Sequence, residues 1–277
     1  MAERWHEVRQ ILGALEDFRA WFESEAWLTD PGYTGRYLSS VRAVGLEDPC
    51  LGWAVPHDIE IASQNYRETI SFGGHNARIR AVLDEILTFL TDAGHPLDVY
   101  APEALTPLAA TLSHRLPVRF TGSEYLPTEE AKALNPGVRH EDVTALTFQD
   151  GTFDLYVTCE VLEHVPDVHA KLREARRILR PGGRIIGTFP FFYGQEKSMV
   201  KAELQDGKLV HLQEPEYHGN PADPEKGSLV FTIPGWEILD WTRQAGFSRC
   251  YFVGRASRRF GIRAAELAAV LIFVAEV

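Results

Sequence analysis

The stretch Glu160-Val161-Leu162-Glu163-His164 sets two carboxylates and an imidazole at i, i+3 and i+4, on one face if the segment is helical. An imidazole changes charge near working pH, so His164 is a candidate general base. His218, in Glu216-Tyr217-His218-Gly219-Asn220-Pro221, is the second candidate base.

The elements that must position these groups are legible around them. Asp150-Gly151 is a turn signal, and Phe153-Asp154-Leu155-Tyr156-Val157 reads as a buried strand. Apolar residues then recur at near-helical spacing: Val161, Leu162, Val165, Val168, Leu172, Ala175, Ile178 and Leu179. Pro166 interrupts them, which predicts a short helical turn and a restart capped by Asp167. Pro181-Gly182-Gly183 ends the helix, and Arg184-Ile185-Ile186-Gly187-Thr188-Phe189 is the next strand. A crossover this short implies parallel strands in a right-handed unit. In open parallel sheets ligands sit at the carboxyl ends of strands, where Glu160 and His164 fall.

Further strands are predicted at 97–100, 118–122, 138–140, 250–253 and 268–275, and helices at 103–116, 127–133 and 236–245. The last strand is apolar on both faces, as a central strand must be. Helical periodicity also runs through Trp5, Val8, Ile11, Leu12, Leu15, Phe18, Trp21 and Phe22, and through Ile79, Val82, Leu83, Ile86, Leu87 and Leu90. Residues 28–75 between them are weakly periodic. The expectation is an N-terminal helical and irregular cap over 1–95 and an α/β domain over 96–277. A polar insertion at 191–233 reads as a substrate lid, because loops that long without an element usually serve a function.

In order and spacing, GTFDLYVTCEVLEHVPD and LREARRILRPGGRIIGTFP resemble the strand-4 and strand-5 signatures of class I S-adenosylmethionine-dependent methyltransferases, of the methyltransferase type 11 kind. The resemblance covers roughly residues 97–277. It implies a doubly wound, seven-stranded, mostly parallel Rossmann-like sheet, its last strand antiparallel beside strand 5. It also implies S-adenosylmethionine as cofactor. Glu124 would then accept the ribose hydroxyls, since a carboxylate offers two acceptor oxygens. Asp142, with the Val143 amide beside it, would meet the adenine, and Glu160 at the end of strand 4 would join the cofactor contacts.

The chain departs from the family at the first turn. Tyr100, Pro102 and Ala104 stand where the family has three glycines that let the backbone approach its cofactor. Glu103 and Thr106, with Tyr100 beside them, are expected to supply side-chain contacts to the methionine part. The alternative is a cofactor site that has been altered or abandoned.

The E-x-x-E-H pattern is similar to an element of ubiquinone-pathway catechol O-methyltransferases and small-RNA 2′-O-methyltransferases. That similarity implies a divalent metal such as magnesium held by Glu160, Glu163, His164 and His218, with His211 as second choice for the last. Such a metal acidifies a substrate hydroxyl. A metal-free role, with His164 facing the substrate as base, stays open beside it. Related chains often carry a zinc knuckle before an Arg-Glu-Thr stretch. Here only Cys50 stands near Arg67-Glu68-Thr69, so no zinc is expected there.

Composition narrows the field. The chain has 277 residues, 45% hydrophobic and 24% charged, with three scattered cysteines, which fits a cytoplasmic protein without disulfides. A net charge of -11 opposes nucleic acid, and no long apolar span suggests a membrane helix. The late basic run Arg255, Arg258, Arg259 and Arg263 reads as a solvated loop. The favoured function is O-methylation of a small molecule, with His164 or His218 as base. Competing readings are a repurposed enzyme on the same fold, catalysing elimination or cyclisation, and a non-catalytic partner subunit. Homodimerisation and pairing with another protein both stay open.

Overall fold

A computed structural model describes residues 7–267 and 269–277. Trp5, expected in the first helix, and Ala268, expected to open the last strand, lie outside the described residues. The sheet strands are β1 (Val8–Leu12), β2 (Asp98–Ala101), β3 (Arg119–Gly122), β4 (Phe153–Cys159), β5 (Leu179–Thr188), β6 (Arg249–Ala256) and β7 (Val270–Glu276). The helices used below are α1 (Leu15–Ser24), α2 (Pro31–Val44), α3 (Ala77–Ala93), α4 (Pro107–His114), α5 (Glu129–Leu134), α6 (Val168–Ile178) and α7 (Ile238–Gln244). The fold is α/β, with one seven-stranded mixed sheet in the order β1-β6-β7-β5-β4-β2-β3. Among the described residues no helix is long and apolar enough to cross a membrane.

The chain divides into two compact units. One comprises His95–Cys250 with Val274–Val277 and holds the predicted βαβ unit. Strands β2, β3, β4 and β5 pair in parallel. Asp167 accepts from Ala170 N at 2.8 Å and so caps α6, while Val168, Leu172, Ala175 and Ile178 bury its apolar stripe. The Pro-Gly-Gly turn is a correction. β5 already starts at Leu179 and runs through it, with a register shift opposite Phe153 and Leu155. Gly182 has φ +80, and a Cβ on Gly183 would lie 2.9 Å from Arg180 O, so glycines absorb the irregularity. The strand expected at 138–140 shrinks to one parallel bridge, Glu124 to His140. The insertion is folded rather than irregular. It carries antiparallel hairpins at Ala202–Gln205 with Lys208–His211, and at Tyr217–His218 with Ser228–Leu229.

Asp98 knots the amino ends of this parallel set. Its Oδ2 accepts from Arg119 Nη2 at 2.9 Å and from Arg180 Nη1 at 2.8 Å. The Arg119 hydrogen bond, supported by Arg180, holds the carboxyl down from 3.8 to about 2. A depressed folded pKa means stability that is full above the unfolded value and lost as pH falls through the folded one. Asp98→Asn is therefore expected to flatten the urea-midpoint profile between pH 4 and pH 2 while leaving its shape at neutral pH unchanged. An unaltered acid limb would refute the assignment.

The other unit comprises the chain up to Gly94 with Tyr251–Phe273. The helix expected from the first periodic stretch begins only at Leu15. Residues Val8–Leu12 are instead a strand, paired antiparallel with β6 from Val8–Ala256 to Leu12–Phe252. Ladder bonds to β6 override local periodicity there. The stretch 28–75 hides a helix with ordinary signals: Asp30 caps α2 by accepting from Tyr33 N, Pro31 opens it and Gly45 follows it. Its apolar face joins a cluster of Tyr37, Leu38, Val41, Leu46, Ala54, Ile70 and Ala77. Asp48 pairs with His75 Nδ1 at 2.8 Å, both buried, and also accepts from the Cys50 and Leu51 amides.

The basic run is the clearest correction in this unit. Arg255, Arg258 and Arg263 are buried, and only Arg259 is exposed, paired with Glu47. Arg255 reaches Asp84 and the Val8 carbonyl, Arg258 reaches Ser40 and the Gly45 carbonyl, and Arg263 reaches the Leu28 carbonyl. Planar guanidinium groups make several bonds at once, so they replace water at backbone carbonyls that burial would otherwise strand.

Candidate active site

The carboxyl end of β4 gathers the polar residues, all within the unit that comprises His95–Cys250. After Cys159 the chain turns at Glu160, whose φ of +55 is left-handed and strained for a residue with a Cβ. Glu160 N donates to Thr188 O at 2.8 Å, and its carboxylate accepts from Thr188 Oγ1 at 2.9 Å. The following helix is a single 3₁₀ turn, Leu162–His164, so the expected helical face does not form. Glu160 turns toward β5, and Glu163 turns inward.

Glu163 is fully buried, and neither carboxylate oxygen has a hydrogen-bond partner. His164 Nε2 stands 3.5 Å and His218 Nδ1 3.6 Å from its Oε1. The outer nitrogens fix both tautomers. His164 Nδ1 lies 2.9 Å from the Leu229 carbonyl, which can only accept, so Nδ1 carries a proton. His218 Nε2 lies 3.1 Å from Glu216 Oε1, which Lys201 holds ionised. In their neutral forms both rings therefore aim lone pairs at a carboxylate. Three acceptors converge with donor atoms within 4.8 Å of one another. Only a cation can sit stably among them, either a proton or a metal ion. The adjacent Glu163 carboxylate, helped by Glu216, raises His218 to about 9.

Lys171 is a group that motif reading missed. It occupies the apolar stripe of α6, three residues after Val168 and four before Ala175, which was the available signal. It is buried, and its Nζ donates to Thr158 Oγ1 at 3.0 Å. Burial pushes its ammonium down to about 8, against the pull of Glu163 and Glu103.

The cofactor candidates lie in the neighbouring crevice. Tyr100 is buried, stacked on Tyr156 with a ring separation of 5.3 Å and edge-on to Phe148, and its hydroxyl bonds Ser123 Oγ at 2.8 Å. It is core. Replacing it with alanine is expected to cost about 3–5 kcal/mol in a urea melt, because the aromatic cluster loses its centre. A loss under about 1 kcal/mol would show that the cluster tolerates the cavity. Glu103 Oε1 accepts from Cys159 N at 2.6 Å, and Glu124 Oε1 from Leu105 N at 2.9 Å. Thr106 caps α4 by accepting from Ala109 N, and its hydroxyl donates to Glu103 O. Asp142 closes a local turn by accepting from Thr144 N and Oγ1, with Val143 half-buried beside it. His211 is exposed at the end of the Lys208–His211 strand.

A methyltransferase domain family matches residues 108–187. An uncharacterized methyltransferase of Mycobacterium sp. (strain JLS) is 28% identical over 105 residues, 37% of this chain and 42% of the relative. An uncharacterized methyltransferase of Mycobacterium tuberculosis (strain ATCC 25618 / H37Rv) is 27% identical over 110 residues, 39% of this chain and 43% of the relative. The chain thus spans less than half the length of the curated relatives it matches. Among solved structures, an S-adenosylmethionine-dependent methyltransferase from Mesorhizobium loti covers 71% of this chain and 98% of its own, at 15% identity and a TM-score of 0.45. The Burkholderia thailandensis 1,6-didemethyltoxoflavin-N1-methyltransferase, solved with bound 1,6-didemethyltoxoflavin and S-adenosylhomocysteine, covers 72% of this chain and 78% of its own, at 21% identity and a TM-score of 0.40. The family match begins just after the glycine-free turn and runs through α4, β3, β4 and α6 into β5, so the chain is similar to the methyltransferase domain family over that segment.

Proposed function

We propose that this protein is an S-adenosylmethionine-dependent methyltransferase that acts on a small-molecule acceptor, by O-methylation. The observation that carries the chemistry is the convergence of Glu163, His164 Nε2 and His218 Nδ1 on one point. Two imidazoles and one carboxylate suit zinc, manganese or iron better than magnesium, which prefers an all-oxygen shell. A divalent ion held there supplies Lewis acidity toward an acceptor hydroxyl. The chain's own part is positional. The Leu229 carbonyl and Glu216 fix the two rings, and Glu163 stores the negative charge that favours a cation between them. Without a metal, His164 takes the acceptor's proton at Nε2, because His218, raised to about 9, already carries its own at neutral pH. The net charge of -11 favours a small acceptor over nucleic acid.

In the arrangement described, Glu103 Oε1 and Glu124 Oε1 are both engaged by backbone amides. That observation favours a second reading, an elimination or cyclisation enzyme on the same fold. The test is transfer of a labelled methyl group to a panel of catechols, phenols and amines, with zinc or manganese and with chelator. Label on an oxygen acceptor supports the proposal. No label on any acceptor, from a folded protein that binds the cofactor, favours the second reading.

A further inference from the structure

In the sheet order, β4 lies on one side of β2 and β3 on the other. The chain leaves β2, forms α4 and returns as β3, so the gap between β2 and β4 is the point where connections diverge. Ligands of open α/β sheets enter at such a point. β2 pairs with β4 only at Val99–Leu155 and Tyr100–Tyr156. The register with β2 ends at Tyr100–Tyr156, and the Cys159 N–H points to that side of β4. The gap holds a carboxylate from the chain itself. Glu103, 6% exposed, places Oε1 2.6 Å from Cys159 N. This is a short, charge-assisted bond.

The loop carrying Glu103 is stitched down from the other side as well. Ala104 N donates to Ser123 O at 3.1 Å, and Leu105 N donates to Glu124 Oε1 at 2.9 Å. Glu124 is itself buried, and desolvation raises its pKa. Two acidic side chains, from the loop and from the end of β3, thus occupy the carboxyl end of this gap.

We infer that Glu103 is an internal stand-in for a ligand carboxylate, and that the Cys159 N–H is a carboxylate subsite which an amino-acid-type ligand reaches only by displacing it. The inference rests on the methyltransferase reading for the ligand class, an α-amino acid thioether or sulfonium. It differs from that reading in sign, because a residue that contacts the ligand weakens binding when removed, whereas a stand-in strengthens it.

The test is calorimetric titration of S-adenosylhomocysteine into the full-length wild type, Glu103→Ala and Glu103→Gln, with the Cys159 amide followed by ¹⁵N NMR. At least tenfold tighter binding to Glu103→Ala is expected, with Glu103→Gln between the two. The downfield Cys159 amide should move upfield in Glu103→Ala and return when ligand is added. Glu103→Gln keeps the side chain's shape and carries the same criterion if the alanine variant does not fold. Equal or weaker binding by the variants, with wild type binding, overturns the stand-in and leaves the methyltransferase reading intact. No binding by any of the three folded proteins overturns both.

Discussion

Glu163→Gln is expected to abolish the thermal response of this protein to zinc or manganese. For wild type, a metal at a hundred times its dissociation constant adds about 2.7 kcal/mol to the folded state. For a chain of this size that raises the melting temperature by several degrees. The amide offers a neutral oxygen where the carboxylate offers a charge, so the variant should lose about a hundredfold or more in affinity, a difference of about 2.7 kcal/mol. The expectation follows from Glu163 being fully buried with no hydrogen bond to either oxygen, while His164 Nε2 and His218 Nδ1 face it. Differential scanning fluorimetry with and without metal reads the result directly. A variant that keeps the wild-type metal shift would remove Glu163 from the centre. His218→Ala offers a parallel check, since its ring supplies one of the three donors that converge among the described residues.

The second large effect is expected far from that chemistry. Arg80 on α3 is wholly buried and donates to the carbonyls of His75, Ile70, Phe260 and Gly261. Burial pushes its guanidinium down to about 10, so it bears a desolvation cost that these four bonds offset. Arg80→Met matches the stem but leaves four buried acceptors without their donor. Each such loss costs about 1–3 kcal/mol, and incomplete additivity makes a total near 4 kcal/mol reasonable. Arg80→Lys should recover little, because one ammonium cannot span four carbonyls that a planar fork reaches. Chemical denaturation measures both. A loss below about 1 kcal/mol for Arg80→Met would mean that water replaces the guanidinium, and that the packing there is looser than the burial implies.

The βαβ unit was readable because its signals are local. Phe153 to Val157 is a short apolar and aromatic run bounded by a turn signal, and Asp167 precedes an apolar stripe; each depends on neighbours within a few residues. The first helix was misread for the opposite reason. Val8, Ile11 and Leu12 have spacing that suits a helix, yet their backbone finds its partners on β6, more than two hundred residues later. The buried arginines show the same limit. Arg255, Arg258 and Arg263 look like a solvated run in sequence, and only folding brings the carbonyls of Val8, Gly45 and Leu28 to them.

The candidate site divides along the same line. The sequence by itself determined which groups are candidates for chemistry: Glu163, His164 and His218 as acids and bases, and Glu103 and Glu124 as carboxylates at strand ends. Residue type and position beside a strand are enough for that. Only the tertiary structure decided their partners. It turned Glu160 toward Thr188 through a left-handed backbone, brought His218 of the insertion to Glu163, and set Glu103 and Glu124 on backbone amides. A side chain's chemistry is written in its own atoms. Its protonation, its tautomer and the ligand it can accept depend on groups that only the closed chain places within a few ångströms.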